Sequence, residues 1–264
     1  MPVLFLSHIH EETELAQIIQ KSIVSTFGGL VEVFVSTDNK SIKKGDDAFE
    51  KIQTALSTCD IVLPLLSPIS VDRRWINIET GAAWLKKIIN PAFPIMTLCH
   101  SGMKKDKSPS PFNKFQATQI NEKAELEALF KSIQLALKGS GELNTDFDSF
   151  QNEIISFEKK YTVSEKLLSI FVLLGINNAM LSEIYFHKQN NPDLPIKIKC
   201  DCNKCEQVKV ICDELPKNVI TNIIIDNYEM LFFENGKRER NDISINIDSK
   251  TLNDCKEYLV AKLD

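Results

Sequence analysis

Two hydrophobic periods alternate along the first half of the chain. Val3 to Ser7 is a short apolar run that predicts a strand, and Leu15, Ile18, Ile19 and Ile23 then recur at helical spacing. They predict an amphipathic helix over Glu11 to Thr26, with its acids at the dipole-favoured start and Phe27-Gly28-Gly29 as its stop. Val31 to Val35 reads as a second strand, followed by a long polar stretch from Ser36 to Asp47. A helix over roughly Ala48 to Ser57 leads into Ile61 to Leu66, an almost unbroken apolar run suited to a parallel strand covered on both faces. After the polar break at Ser67 to Ser70, a third helix is expected over about Asp72 to Ile88, with Trp75, Ile78 and Leu85 at helical spacing. Strands at Phe93 to Leu98 and Phe115 to Ile120 and a helix over Glu122 to Lys138 complete the set. Such alternation predicts an α/β doubly wound parallel sheet, whose ligand sites lie beyond the carboxyl ends of the strands. Those ends are Ser7-His8, Ser36-Thr37-Asp38, Ser67-Pro68 and Cys99-His100.

Gly139-Ser140-Gly141 marks a boundary, and the pattern then changes, so we read one domain over 1–140 and a smaller α+β domain over 146–264. Helices are expected over Asp148 to Lys160 and Ser164 to Lys188, the second broken near Gly175. Strands are expected at Ile196 to Cys200, Val208 to Cys212, Val219 to Ile225, Glu229 to Phe233 and Ile243 to Ile247. Asn235-Gly236 signals a hairpin turn, and Leu252 to Leu263 a closing helix.

Composition narrows the function classes. A hydrophobic share of 43% with 25% charged residues is that of a soluble globular protein, and no apolar run is long enough to span a bilayer. The formal charge of -5 argues against a chain built to neutralise nucleic-acid phosphates. The apolar start is followed at once by His8 and Glu11, with no basic region before it, so a secretory signal is not expected. The expected location is the cytoplasm, and the seven cysteines are then expected as reduced thiols. The spacing of Cys200, Cys202, Cys205 and Cys212 also admits a structural zinc site, although simple buried thiols are the alternative.

The candidate chemistry centres on Glu79. It stacks on Trp75 one turn earlier, has no basic residue a turn away, and is followed by Gly81, Ala82 and Ala83. That neighbourhood predicts a carboxylate open to an outside ligand. No glycine-rich phosphate cradle is present, so a conventional dinucleotide fold site is not expected.

Four stretches, taken in order, resemble a TIR domain (Toll/interleukin-1 receptor type), and within that family its bacterial members. Phe5-Leu6-Ser7-His8 resembles the end of the family's first strand, and Phe34 to Gly45 its second strand and following loop. Asp60 to Pro68 resembles the third strand with its L-S-P ending, and Trp75-x-x-x-Glu79 the tryptophan and glutamate of the enzymatic branch. The resemblance implies a flavodoxin-like sheet and cleavage of NAD at the ribose–nicotinamide bond, yielding linear or cyclic ADP-ribose. It implies Glu79 as the catalytic carboxylate, with Phe5, Ser7, His8, Asp38, Lys43, Gly45 and Trp75 around the substrate. Nicotinamide leaves NAD as a neutral ring, so a single carboxylate that steadies the oxocarbenium-like state would suffice. No resident cofactor is implied. A homo-oligomer formed through the TIR domain, a trigger ligand or protein for the second domain, and a role in bacterial defence against phage are implied as well. The alternatives are a non-enzymatic TIR–TIR interaction module and a nucleoside deoxyribosyltransferase-like enzyme. The pair of helices and hairpin in the second half also resembles a winged-helix unit, a reading the acidic net charge opposes.

Overall fold

The computed structural model describes residues 1–35, 48–215, 219–233 and 236–263. By internal contacts the chain divides into two compact units, Met1–Glu158 and Lys159–Asp264. The first unit is a five-stranded parallel sheet in the order β2-β1-β3-β4-β5. Its strands are β1 (Val3–Ser7), β2 (Glu32–Val35), β3 (Ile61–Leu66), β4 (Met96–Cys99) and β5 (Gln116–Gln119). The helices between them are α1 (Thr13–Thr26), α2 (Ala48–Thr58), α3 (Arg74–Ile89) and α4 (Lys123–Ala136). That strand order is the flavodoxin-like one, with its switch point between β1 and β3. The central strands behave as their sequences demand: all six residues of β3 and all four of β4 are buried.

Two local features set the orientation of α3. At 100° per residue, Ile76, Glu79, Thr80 and Ala83 share one face of this helix, and all four are buried. Lys86 and Lys87 continue that face. The ammonium of Lys86 donates to the carbonyls of Leu56 (3.2 Å), Ser57 (3.0 Å) and Cys59 (2.8 Å), covering the end of α2. It also stands 4.4 Å from the centre of the Phe93 ring. Lys87 donates to the carbonyl of Phe93 at 2.8 Å. The polar stripe of α3 is therefore its inward stripe. Ile78 (58% exposed), Leu85 (58%) and Ile89 (76%) point outward, so the apolar residues whose helical spacing marked this helix in the sequence lie on its exposed side.

The helix α5 (Phe147–Leu173) runs without a break, where the sequence predicted an interruption between Lys160 and Ser164. Phe147, Phe150, Ile154, Phe157, Tyr161, Ser164 and Leu167 are buried in turn, so the stripe continues through Ser164, where the second helix was expected to begin. The Ser164 hydroxyl bonds back to the carbonyl of Lys160 instead. The opening turns of α5 go with the first unit: Phe147 and Phe150 meet the Phe130 ring edge-on at 5.3 and 5.7 Å.

The second unit holds α6 (Asn178–Asn190), β6 (Ile196–Asp201), α7 (Cys202–Asp213), β7 (Ile220–Phe233), β8 (Gly236–Ile247), α8 (Ser249–Asp254) and α9 (Lys256–Val260). Its antiparallel sheet has the order β6-β8-β7. Val208 to Cys212, expected as a strand, is helical: Cys205, Val208 and Cys212 are buried at helical spacing, which outweighs the β-branched residues between them. The two strands expected between Val219 and Phe233 are one strand with register shifts at Ile220/Asn222 and Asp226/Tyr228. The expected closing helix is two short helices parted at Cys255. The hairpin signal falls where it was expected: β7 and β8 pair antiparallel with Phe233 opposite Gly236. No single helix among the described residues is long and apolar enough to cross a membrane.

Replacing Lys86 by Met keeps the aliphatic stem and removes the charge that holds three carbonyls. The expected loss is about 2 kcal/mol, read by urea unfolding followed by circular dichroism.

Candidate functional site

At the carboxyl end of β1, strand alternation turns Ser7 to the same face as Phe5, the face covered by α3. The Ser7 hydroxyl donates to Glu79 Oε2 at 2.5 Å. The Trp75 indole N–H is a second donor to the same carboxylate. Glu79 Oε1 is buried and has no hydrogen-bond partner among the described residues. Burial raises the Glu79 carboxyl to about 7, against the opposing pull of the bonds from Ser7 and then Trp75. The expectation of an open carboxylate is thus corrected: Glu79 is 1% exposed, because α3 is rolled so that its polar stripe meets the sheet.

The other expected site residues divide by placement. Phe5 is fully buried and stacked on Phe34 at 5.5 Å, in the core cluster that Ala83 of α3 joins. His8, expected at the rim, is 2% exposed, and burial lowers its imidazole to about 4, leaving it neutral at neutral pH. Trp75 is 37% exposed and borders Glu79 from the helix side. Asp38, Lys43 and Gly45 lie outside the described residues.

Beside this arrangement lies a second polar group that sequence reasoning missed. Glu12 and His100 are both fully buried, with His100 Nε2 3.2 Å from Glu12 Oε1. Ser67 donates its hydroxyl to the same oxygen at 2.7 Å. The turn after β3 closes on itself, the Ser67 N–H donating to Ser70 Oγ and the Ser70 N–H to Ser67 Oγ. His100 Nδ1 lies 3.0 Å from Ser101 Oγ, and the Ser101 N–H donates to Glu158. Glu12, Ser67 and His100 come from the ends of three segments remote in sequence. The only sequence signal was that Ser67 and His100 both end strands on the rim.

Of the four cysteines in the zinc reading, the side chains of Cys205 and Cys212 fall within the described residues. Cys205 is disulfide-bonded, which removes its thiolate and departs from the expectation of reduced thiols throughout. Cys212 is free and buried, as are Cys59, Cys99 and Cys255. The side chains of Cys200 and Cys202 lie outside the described residues. Among the described residues no group of three His, Cys, Asp or Glu is placed to hold a metal ion.

Taken together, one rim of a parallel sheet carries two buried carboxylates with opposite treatment. Glu12 is met by an imidazole and a hydroxyl; Glu79 has one oxygen occupied and one left over. An acid of this kind is either a stability defect or a functional group, and such perturbed groups concentrate at functional sites. A comparison with family models matches residues 4–133 to the TIR domain. No curated protein matches the chain.

Two outcomes test the geometry without reference to activity. The Glu79 carboxyl is raised when folded, so the folded state holds a proton that the unfolded state releases, and stability falls as pH rises from about 4.5 to about 7. The stability of the native protein relative to Glu79→Gln should therefore fall by about 3 kcal/mol between acid and mildly alkaline pH, read by paired denaturant titrations. Truncation of His100 to Ala strands Glu12 in the core; the expected cost is about 3 kcal/mol, relieved in part by adding Glu12→Gln.

Proposed function

With residues 4–133 carrying a TIR domain, we propose that this chain cleaves NAD at the bond between ribose and nicotinamide, with Glu79 as the catalytic carboxylate. The observation that carries the reading is the unpartnered Oε1 of Glu79 at the carboxyl end of β1, where a doubly wound sheet accepts ligands. In the proposed reaction the C1′–N bond breaks with its electron pair passing to the nicotinamide nitrogen, which becomes neutral. Glu79, ionised, faces the cationic ribose and lowers its energy electrostatically. Water then adds at C1′ and loses a proton to give ADP-ribose; attack by a nitrogen of the adenine ring instead gives a cyclic product.

Ser7 holds Oε2 and lowers the carboxyl, keeping Glu79 ionised closer to neutrality. Trp75 fixes the acid from the other side and offers an exposed ring edge beside it. Because Glu79 is covered, turnover requires a rearrangement that uncovers it, and we assign that step to self-association. The outward face of α3, with Ile78, Leu85 and Ile89 exposed, supplies apolar surface for such contact. Depletion of NAD on assembly is a fitting output for a defence protein acting against phage, and the proposal extends to that role.

A second reading has its own observation. The same covering of Glu79 and the same apolar face of α3 suit a TIR module that only binds its own kind.

Incubation with NAD and mass analysis of the products separates these readings. The expected result is release of nicotinamide with a rate per molecule that rises with protein concentration, reduced at least ~100-fold in Glu79→Gln. Retained turnover in that variant removes Glu79 from the chemistry, and absence of turnover at every concentration leaves the binding module. Deoxynucleosides tested in parallel report the transferase alternative by nucleobase release. Ser7→Ala removes a bond that lowers the carboxyl, so the acid limb of the pH–rate profile should move to higher pH.

A further inference from the structure

The second unit contains a groove of about 500 Å³ between α6 and the outer edge of β6. Its helix wall is one continuous stripe, Met180, Glu183, Ile184 and His187, spaced by three and four residues. The facing wall is formed by Pro195 and the first three residues of β6, taken consecutively. Successive residues of a strand point to opposite faces of the sheet, so a cavity that touches several in a row touches the strand along its edge. That edge is open. The strand order β6-β8-β7 gives β6 one partner, β8, through the antiparallel register Ile196↔Ile245 to Asp201↔Arg240. In such a ladder every second residue of the outer strand directs its N–H and C=O away from the partner.

The loop leading into β6 is held in place from within. Lys188 is 2% exposed, and its ammonium donates to the carbonyls of Pro192 and Leu194 and to Asn246 Oδ1. Those bonds satisfy the buried charge and hold Leu194 at the mouth of the groove, where it is 51% exposed. Met180 is 36% exposed on the opposite lip. Within the wall, the Nε2 of His187 is buried and has no hydrogen-bond partner among the described residues. Glu183 stands on the helix side and Lys197 on the strand side.

We propose that this groove takes an extended peptide segment of a partner protein, added to β6 as a further strand, with apolar residues at alternate positions and an acidic residue beside Lys197. Main-chain pairing along the open edge supplies affinity, and the apolar walls select every second side chain. A small apolar molecule would fill the volume but leave the strand edge and His187 Nε2 unpaired. A second copy of β6 laid on the same edge would bring another lysine-bearing strand against Lys197, the kind of charge that keeps exposed edges from pairing with themselves. An acidic peptide meets Lys197 with opposite charge instead. The inference stands apart from the NAD reading, since binding alone reports it.

Panning a phage-displayed library of random linear peptides against the full-length protein tests it. Enriched sequences are expected to alternate apolar residues and to carry an acid. A synthetic version should bind at least ~tenfold more weakly when alternate main-chain nitrogens are methylated. Leu194→Glu, at the exposed mouth, should abolish binding with the circular dichroism spectrum unchanged, and Lys197→Glu should shift the preference from acidic to basic peptides. Failure to enrich, affinity that survives both methylation and Leu194→Glu, or pairing of two copies through β6 would overturn the proposal.

Discussion

A carboxylate pressed against the end of a parallel sheet is the constraint around which the first unit is arranged. Placing Glu79 inward requires α3 to present its polar stripe to the core and its apolar stripe to solvent, the opposite of what a surface helix does by default. The inversion holds because the charged groups on that stripe find partners inside. Lys86 ends on the carbonyls that close α2, Lys87 on the carbonyl of Phe93, and half of the Glu79 carboxylate on Ser7. Ala83 and Thr80 are small enough to let the helix approach the strands. Among the described residues Glu79 Oε1 and the Thr80 hydroxyl are left over, and desolvation of the acid is the larger cost of the arrangement.

The contrast with Glu12 gives that cost its meaning. Both acids are buried on the same rim, and the fold has evident means to compensate one: His100, Ser67 and a self-closing serine turn surround Glu12. A compensated acid of this kind ties the ends of β3 and β4 to the start of α1 and fixes the rim. The uncompensated acid then sits on a rigid platform, which is where a group that must meet a transition state belongs. The imidazole of His8, lowered by burial, is neutral and lies within the field of Glu12.

The second unit solves a different problem. Three strands leave an outer edge at β6, and natural sheets that keep such an edge cover it, charge it or use it. Here α6 runs alongside at a distance that leaves a groove, with lysine on the strand and a buried, unpaired imidazole nitrogen on the helix. The unpaired Oε1 of Glu79 in one unit and the unpaired Nε2 of His187 in the other are alike in kind: buried polar atoms without a partner among the described residues.

Sequence alone determined the order and kind of the elements in the first unit. The runs Val3–Ser7 and Ile61–Leu66 are strands with the bounds their apolar patterns predict, and Trp75-x-x-x-Glu79 lies on the helix that was expected. The Gly175 break was also legible, because a positive φ depends on local chemistry, and β7 pairs antiparallel with β8 on either side of the predicted turn, whose Asn235 lies outside the described residues. What tertiary structure decided was direction. Periodicity shows that Glu79, Lys86 and Lys87 share a helix face but not whether that face looks out or in, since lysines that reach water and lysines that reach buried carbonyls read alike in sequence. The same limit hid the Glu12–His100 pair, joined only by the crossing of remote strand ends. It also turned Val208 to Cys212 into helix, where burial at every third or fourth position overrode the preference of its β-branched residues.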